Sequence, residues 1–198
     1  IMSREPRKNE EEYKAKMKRR DDGYVVDAEL FKDQFYIMDV ATGKAKKIND
    51  GHPGIAGFSL SPDGTKVVYS TNYTGRMDDD LKFDLWLVDL KDGSSYKIAD
   101  LHGPETSPEW SPDGKTIAYL STTEGDVEYA QTDITFISPE KGSKPKVMTA
   151  DFDRAINQIH WLKNGYIYAT VSDKTETPLY RMDPKTGQME KLNTNGSN

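Results

Sequence analysis

Cysteine is absent from the 198-residue chain, which excludes disulfides, thiolate chemistry and cysteine-ligated zinc. Long apolar runs are absent too: none approaches the ~18 residues that a membrane-crossing helix needs, so no membrane partner is expected. The opening Ile1-Met2-Ser3-Arg4-Glu5-Pro6 has no apolar signal core. The expected compartment is the cytoplasm, with export left open. Positive charge is outweighed, 27 Lys and Arg against 33 Asp and Glu, for a formal charge of −6. Nucleic-acid binders show the opposite balance because phosphates are neutralised by clustered Lys and Arg, and no nucleic-acid partner is expected. The one basic cluster, Lys14 to Arg20, is flanked by Glu10, Glu11, Glu12, Asp21 and Asp22 and reads as a solvated helix face. Apolar residues are scarce for a compact globule, 35% against 30% charged. Aromatics are not: 11 Tyr, 6 Phe and 3 Trp exclude a wholly disordered chain.

What the chain does contain is a repeat near fifty residues. Ser61-Pro62-Asp63-Gly64-Thr65-Lys66-Val67-Val68-Tyr69 recurs as Ser111-Pro112-Asp113-Gly114-Lys115-Thr116-Ile117-Ala118-Tyr119, with the aspartates 113 − 63 = 50 apart. A decayed copy, Trp161-Leu162-Lys163-Asn164-Gly165-Tyr166-Ile167-Tyr168, places Trp161 at 161 − 110 = 51 after Trp110. A second motif interleaves with the first. Phe35-Tyr36-Ile37-Met38-Asp39-Val40-Ala41-Thr42-Gly43 matches Leu85-Trp86-Leu87-Val88-Asp89-Leu90-Lys91-Asp92-Gly93, and the aspartates are again 89 − 39 = 50 apart. Later copies end on Gly142 and Gly187.

The chemistry of both motifs is that of turns. Pro62 and Pro112 fix φ at the first corner, Asp63 and Asp113 take the second, and Gly64 and Gly114 supply a positive φ. Asp39 to Gly43 and Asp89 to Gly93 read as further hairpins. The flanking runs are short and rich in β-branched and aromatic residues. Each repeat therefore holds four antiparallel strands, which is a propeller blade. The predicted fold is all-β: a partial β-propeller of about four four-stranded antiparallel blades with a short N-terminal helical arm. Residues 1–22 form the charged arm, helical over about 7–20. Residues 23–192 form the blades, divided as 23–50 (partial, opening on a strand at about 24–30), 51–99, 100–150 and 151–192. Residues 193–198 form a flexible tail.

The string at 110–119 is similar to the blade repeat of Tol-system periplasmic propellers, which also occurs in propellers of the prolyl oligopeptidase family. The order of the opening third adds to this. A charged helix-like stretch is followed by Asp22-Gly23-Tyr24, Phe35 to Val40, Thr42-Gly43 and Asp50-Gly51, and it resembles the propeller of acylaminoacyl-peptidase-like members of that family. The resemblance implies a non-catalytic propeller that gates and orients peptide substrates over an α/β-hydrolase domain carrying Ser, Asp and His. This chain has no Gly-x-Ser-x-Gly elbow; Gly57-Phe58-Ser59-Leu60-Ser61 ends on serine. The expectation is a piece of such a propeller, with the hydrolase and several blades outside it, no catalytic residues and no cofactor. Two rivals stay open: a protein-binding scaffold of the Tol type, and a metal-dependent propeller lyase.

Candidate site residues are few. Thr71 to Leu81 and Thr122 to Gln131 are equivalent excursions in successive repeats. Arg76, Asp78, Asp79, Glu124, Asp126 and Glu128 are candidates for a channel rim or domain contact. His52 and His102 are 102 − 52 = 50 apart, so with His160 they read as a scaffold echo more simply than as a metal site. Asp78, Asp79 and Asp80, near Asp84, lack the spacing of a calcium loop and read as a solvated run. Trp86, Trp110 and Trp161 read as core. Because about four blades cannot close a ring, self-association through the open terminal blades is expected.

Overall fold

The computed structural model describes residues 2–4, 10–21, 32–48, 52–72, 74, 76, 79, 81–101, 103–122 and 130–192. In them the short apolar runs form strands and the Pro-Asp-Gly and Asp-x-x-x-Gly corners reverse the chain. The first sheet holds β1 (Met2–Arg4), β2 (Lys32–Met38), β3 (Ala45–Lys47) and β4 (His52–Pro53), with α1 (Glu10–Lys18) between β1 and β2. The second is β5 (Ile55–Leu60), β6 (Lys66–Asn72), β7 (Phe83–Asp89) and β8 (Ser95–Ala99). The third is β9 (Glu105–Trp110), β10 (Ile117–Thr122), β11 (Thr132–Ile137) and β12 (Lys146–Val147). The fourth is β13 (Ile156–Trp161), β14 (Ile167–Val171), β15 (Leu179–Met182) and β16 (Met189–Lys191). The last three sheets are antiparallel meanders in chain order, and the whole is a partial β-propeller.

The hairpin corners show why the sequence turns there. Gly64 and Gly114 adopt φ of +72° and +70°. The Asp63 carboxylate accepts from the Ser61 hydroxyl at 2.6 Å and the Thr65 amide at 3.0 Å. Ser61 Oγ in turn accepts from the Lys66 amide at 2.9 Å, tying the corner to the next strand. Ser111, Asp113, Lys115 and Thr116 repeat the arrangement.

Sheets pack face to face because alternate residues of each strand point to opposite neighbours. Val67 and Tyr69 of β6 join Phe35 and Ile55, towards the first sheet. Val68, between them, joins Leu85, Leu87, Trp110 and Ile117, towards the third. Ala118, Leu120 and Ile134 then meet Ile159, Ile167, Ala169 and Met182 of the fourth. Thus β10 is buried along its whole length, whereas β14 alternates, Ile167, Ala169 and Val171 buried and Tyr168 and Thr170 half-buried. Among the tryptophans, Trp110 is core, while Trp86 and Trp161 are partly buried against it.

Strand pairing in the first sheet begins within residues 1–22. Met2–Arg4 pairs with Asp33–Phe35, on the side of β2 opposite β3. It therefore holds the second-strand place that β6, β10 and β14 hold in their sheets. The helix lies in the connection between β1 and β2. Among the described residues it spans Glu10–Lys18 and buries no residue; Arg7, Lys8 and Asn9, also expected in it, lie outside the described residues. The strand expected at 24–30 lies outside the described residues.

Candidate functional site

A four-stranded meander sends its turns alternately to opposite ends. The tight hairpins after β5, β7, β9, β11, β13 and β15 gather at one end, where a cleft of about 180 Å³ opens between Pro62, Trp110, Gly114 and Pro139. That is below the several hundred Å³ typical of ligand pockets. The second-to-third-strand connections leave from the other end, which among the described residues carries α1, Thr74, Arg76, Asp79 and the short 172–178. The lead-in loops to each new sheet lie at the same end. The second-to-third-strand connections and the lead-in loops thus share one end.

Asn72, buried at the end of β6, shapes the 73–82 excursion. Its Nδ2 donates to the carbonyls of Arg76 at 3.0 Å and Asp79 at 3.1 Å. Its Oδ1 accepts from the Thr74 amide at 3.0 Å. Arg76 is exposed. Asp79 meets Lys82 at 3.1 Å, and hydrogen bonds from Thr74 and Lys82 hold its carboxyl below the usual range. Asp78, Asp80, Glu124, Asp126 and Glu128 lie outside the described residues, as does His102.

Beneath this face runs a row of buried acids that sequence reasoning did not single out as a group. Asp33 Oδ2 accepts from the Ile55 amide at 2.9 Å. Asp84 pairs with Lys97 at 3.3 Å, and Lys97 with Asp100 at 3.1 Å. Glu105 accepts from the amides of Leu85, at 3.1 Å, and Leu101. Asp133 accepts from Thr149 Oγ1 at 2.8 Å, which itself accepts from the Ile134 amide at 2.9 Å. Burial raises the carboxyls of Asp84 and Asp133 and pushes Glu105 up to about 8. A signal was present: Asp84 and Asp133 stand 133 − 84 = 49 apart, each at the start of a third strand just after an excursion.

The first strands β5, β9 and β13 lie side by side, and one position on each is linked across the sheets. Ser59 Oγ donates to Glu109 Oε2 at 3.5 Å, and Glu109 Oε1 lies 2.9 Å from His160 Nδ1. The three residues are 109 − 59 = 50 and 160 − 109 = 51 apart. Serine meets the carboxylate rather than the imidazole, so this is not the geometry of an activated nucleophile. Among the described residues no three His, Asp or Glu side chains are placed to share a metal ion.

Solved structures share this architecture. A protein of Agrobacterium tumefaciens described as a TolB is 20% identical, with a TM-score of 0.66 over 81% of this chain and 56% of its own. A puromycin-hydrolysing peptidase of Mycobacterium tuberculosis is 14% identical, with a TM-score of 0.64 over 84% of this chain and 27% of its own. An oligogalacturonate lyase of Vibrio parahaemolyticus is 16% identical, with a TM-score of 0.59 over 85% of this chain and 48% of its own. The chain thus spans about half or less of the length of these structures, and the likeness is one of fold. No curated protein matches it. Residues 24–198, most of the sequence, match the TolB β-propeller domain, and the chain belongs to that family.

Proposed function

We propose that this chain is the non-catalytic propeller of a serine peptidase, receiving peptide substrates on its excursion-bearing face and orienting them over a hydrolase domain. The observation that supports the reading is the concentration of the second-to-third-strand connections on one face, with α1, Arg76 and Asp79 among them. A peptide bound there meets charged side chains on loops held by a rigid scaffold, and the chain itself does no bond chemistry. The likeness of fold to a puromycin-hydrolysing peptidase lends support to this reading.

The test uses the full gene product, with an active-site-directed fluorophosphonate and two substrates, a single-residue amide and a peptide of about ten residues. The expected result is labelling outside these 198 residues. Replacing Arg76 and Asp79 by alanine should raise KM for the long peptide roughly two- to fivefold, the scale of exposed charge contacts, and leave the short one unchanged. A gene product that takes no label sinks the peptidase reading. It would favour the second one, a protein-binding scaffold, to which the family match and the TolB neighbour lend support. A lyase would instead show stoichiometric manganese or zinc in the purified protein.

A further inference from the structure

Two equivalent turns meet at the hairpin end. Ser61-Pro62-Asp63-Gly64 joins β5 to β6, and Ser111-Pro112-Asp113-Gly114 joins β9 to β10. A Cβ on Gly114 would come within 3.7 Å of Pro62 Cδ, so the turns are neighbours across the seam between the second and third sheets. The cleft of about 180 Å³ lies there, walled by Pro62, Trp110 and Pro139 and edged by Asp63, Asp113 and Lys66. The Trp110 indole N–H is taken by the Ser59 carbonyl, so the ring meets the cleft as apolar surface. Pro139 is held by its carbonyl, which accepts from the Tyr96 hydroxyl of the second sheet at 2.6 Å. Each aspartate spends one oxygen on its turn. Asp63 Oδ1 accepts from Ser61 Oγ at 2.6 Å, the Thr65 amide at 3.0 Å and Thr65 Oγ1 at 2.9 Å. Asp113 Oδ1 accepts from Ser111 Oγ at 2.7 Å and the Lys115 amide at 3.1 Å. Among the described residues no hydrogen bond or ion pair reaches Oδ2 of either. The next seam offers a contrast. There the fourth sheet brings Leu162-Lys163-Asn164-Gly165, with an amide in place of the second carboxylate and a lysine beside it.

We infer that this cleft receives the arginine side chain of a partner protein, its methylenes against Pro62, Trp110 and Pro139 and its guanidinium at the Oδ2 atoms of Asp63 and Asp113. Its volume lies below the range of small-molecule pockets and suits a single side chain. Two carboxylates against the one ammonium of Lys66 leave the edge net negative, 2 − 1 = 1. A side chain with an apolar stem and a charged head matches apolar walls under a polar edge. The guanidinium carries donors for two acceptors in a fixed fork, whereas a lysine ammonium is a point charge. A free amino acid would bring its own carboxylate beside two others, which favours a side chain presented by a protein. The cleft lies at the end opposite the excursions, so it stands apart from the peptidase reading.

Titrating the isotope-labelled intact chain with N-acetyl-arginine amide, followed by NMR, tests this. The Gly64 and Gly114 amides and the Trp110 indole N–H should shift together and saturate at millimolar concentration, the scale of a few exposed contacts. N-acetyl-norleucine amide, which has an apolar stem and no charge, should leave them in place, and N-acetyl-lysine amide should bind more weakly than the arginine probe. Asp63→Asn and Asp113→Asn keep an Oδ1 acceptor for the turn, and each should weaken binding roughly two- to fivefold. Lys66→Gln, which alters neither turn, should tighten it by a similar factor. No saturable shift at millimolar concentration, an equal response to the norleucine probe, or unchanged affinity in both aspartate variants overturns the site. Should the aspartate variants not fold, Lys66→Gln provides the decision: unchanged or weaker binding there counts against the proposal.

Discussion

Two glycines show how one atom decides whether neighbouring sheets can touch. Gly93 and Gly187 adopt φ of +78° and +77°, and a Cβ on either would run into a carbonyl of the preceding sheet, that of Ile48 or Met148. Gly142 has φ +84° at an equivalent corner but nothing near it. Gly142→Ala should cost only the left-handed strain of about 1–2 kcal/mol. Gly187→Ala should cost clearly more, because the sheets must also part; urea midpoints of the two variants give the comparison. The hairpin aspartates act through protons. The Ser61 hydroxyl, then the Thr65 amide and hydroxyl, hold the Asp63 carboxyl down to about 2. Asp113 is lowered by Ser111 and Lys115 in the same way. A depressed carboxyl stabilises above its ordinary value and stops doing so as pH falls through the depressed one. The double variant D63N/D113N should therefore lose less Tm than wild type between pH 4 and 2; equal losses would refute this role.

At the scale of elements, stability resides in the seams between sheets. Trp110 of β9 is buried against the second sheet, and its Nε1 donates to the Ser59 carbonyl at 3.2 Å. Trp161, its counterpart on β13, stacks on Phe136 at 5.1 Å and stays partly exposed. Trp110→Ala should cost roughly 3–5 kcal/mol as a large buried aromatic, and Trp161→Ala distinctly less, by denaturant unfolding monitored on the remaining tryptophans. The first strands share another device. Each has a register shift against its second strand, between Ile55 and Gly57, between Ala118 and Leu120 on the partner of β9, and between Ile156 and Gln158. Such bulges sharpen twist next to the lead-in loops.

The whole molecule has two unlike ends. In the third sheet the cross-strand pairs Ala118–Phe136 and Leu120–Ile134 face the fourth. The matching pairs of the fourth sheet are Tyr168–Arg181 and Thr170–Leu179. There Arg181 lies 4.7 Å from the Tyr166 ring and bonds Glu190 at 2.6 Å. This outward face is half polar rather than an apolar copy of the inner seams. Among the described residues, large exposed apolar side chains are more numerous towards the first sheet, with Phe58 at 48%, Leu60 at 54% and Ile37 at 44% exposure, against Leu162 at 46% by the fourth. We propose that self-association uses that end. Light scattering at micromolar concentration should show a dimer that Leu60→Lys dissociates and Arg181→Ala leaves intact; a monomeric wild type rules it out.

The number and order of strands in the last three sheets were determined by the sequence alone. Pro62, Asp63, Gly64 and their repeats act within five residues, and local sterics settle a corner without help from the rest of the chain. Strand pairing across a long connection is different. That Met2–Arg4 joins β2 across a helix depends on which distant edge is free, and no local pattern records it. The buried acids were half legible, since Asp84 and Asp133 recur in step. Whether a carboxylate faces water or two backbone amides is decided only once neighbouring sheets pack. Glu105 reads as one more polar residue in the sequence. It becomes the most buried acid of the junction because the second and third sheets close over it and remove its solvent.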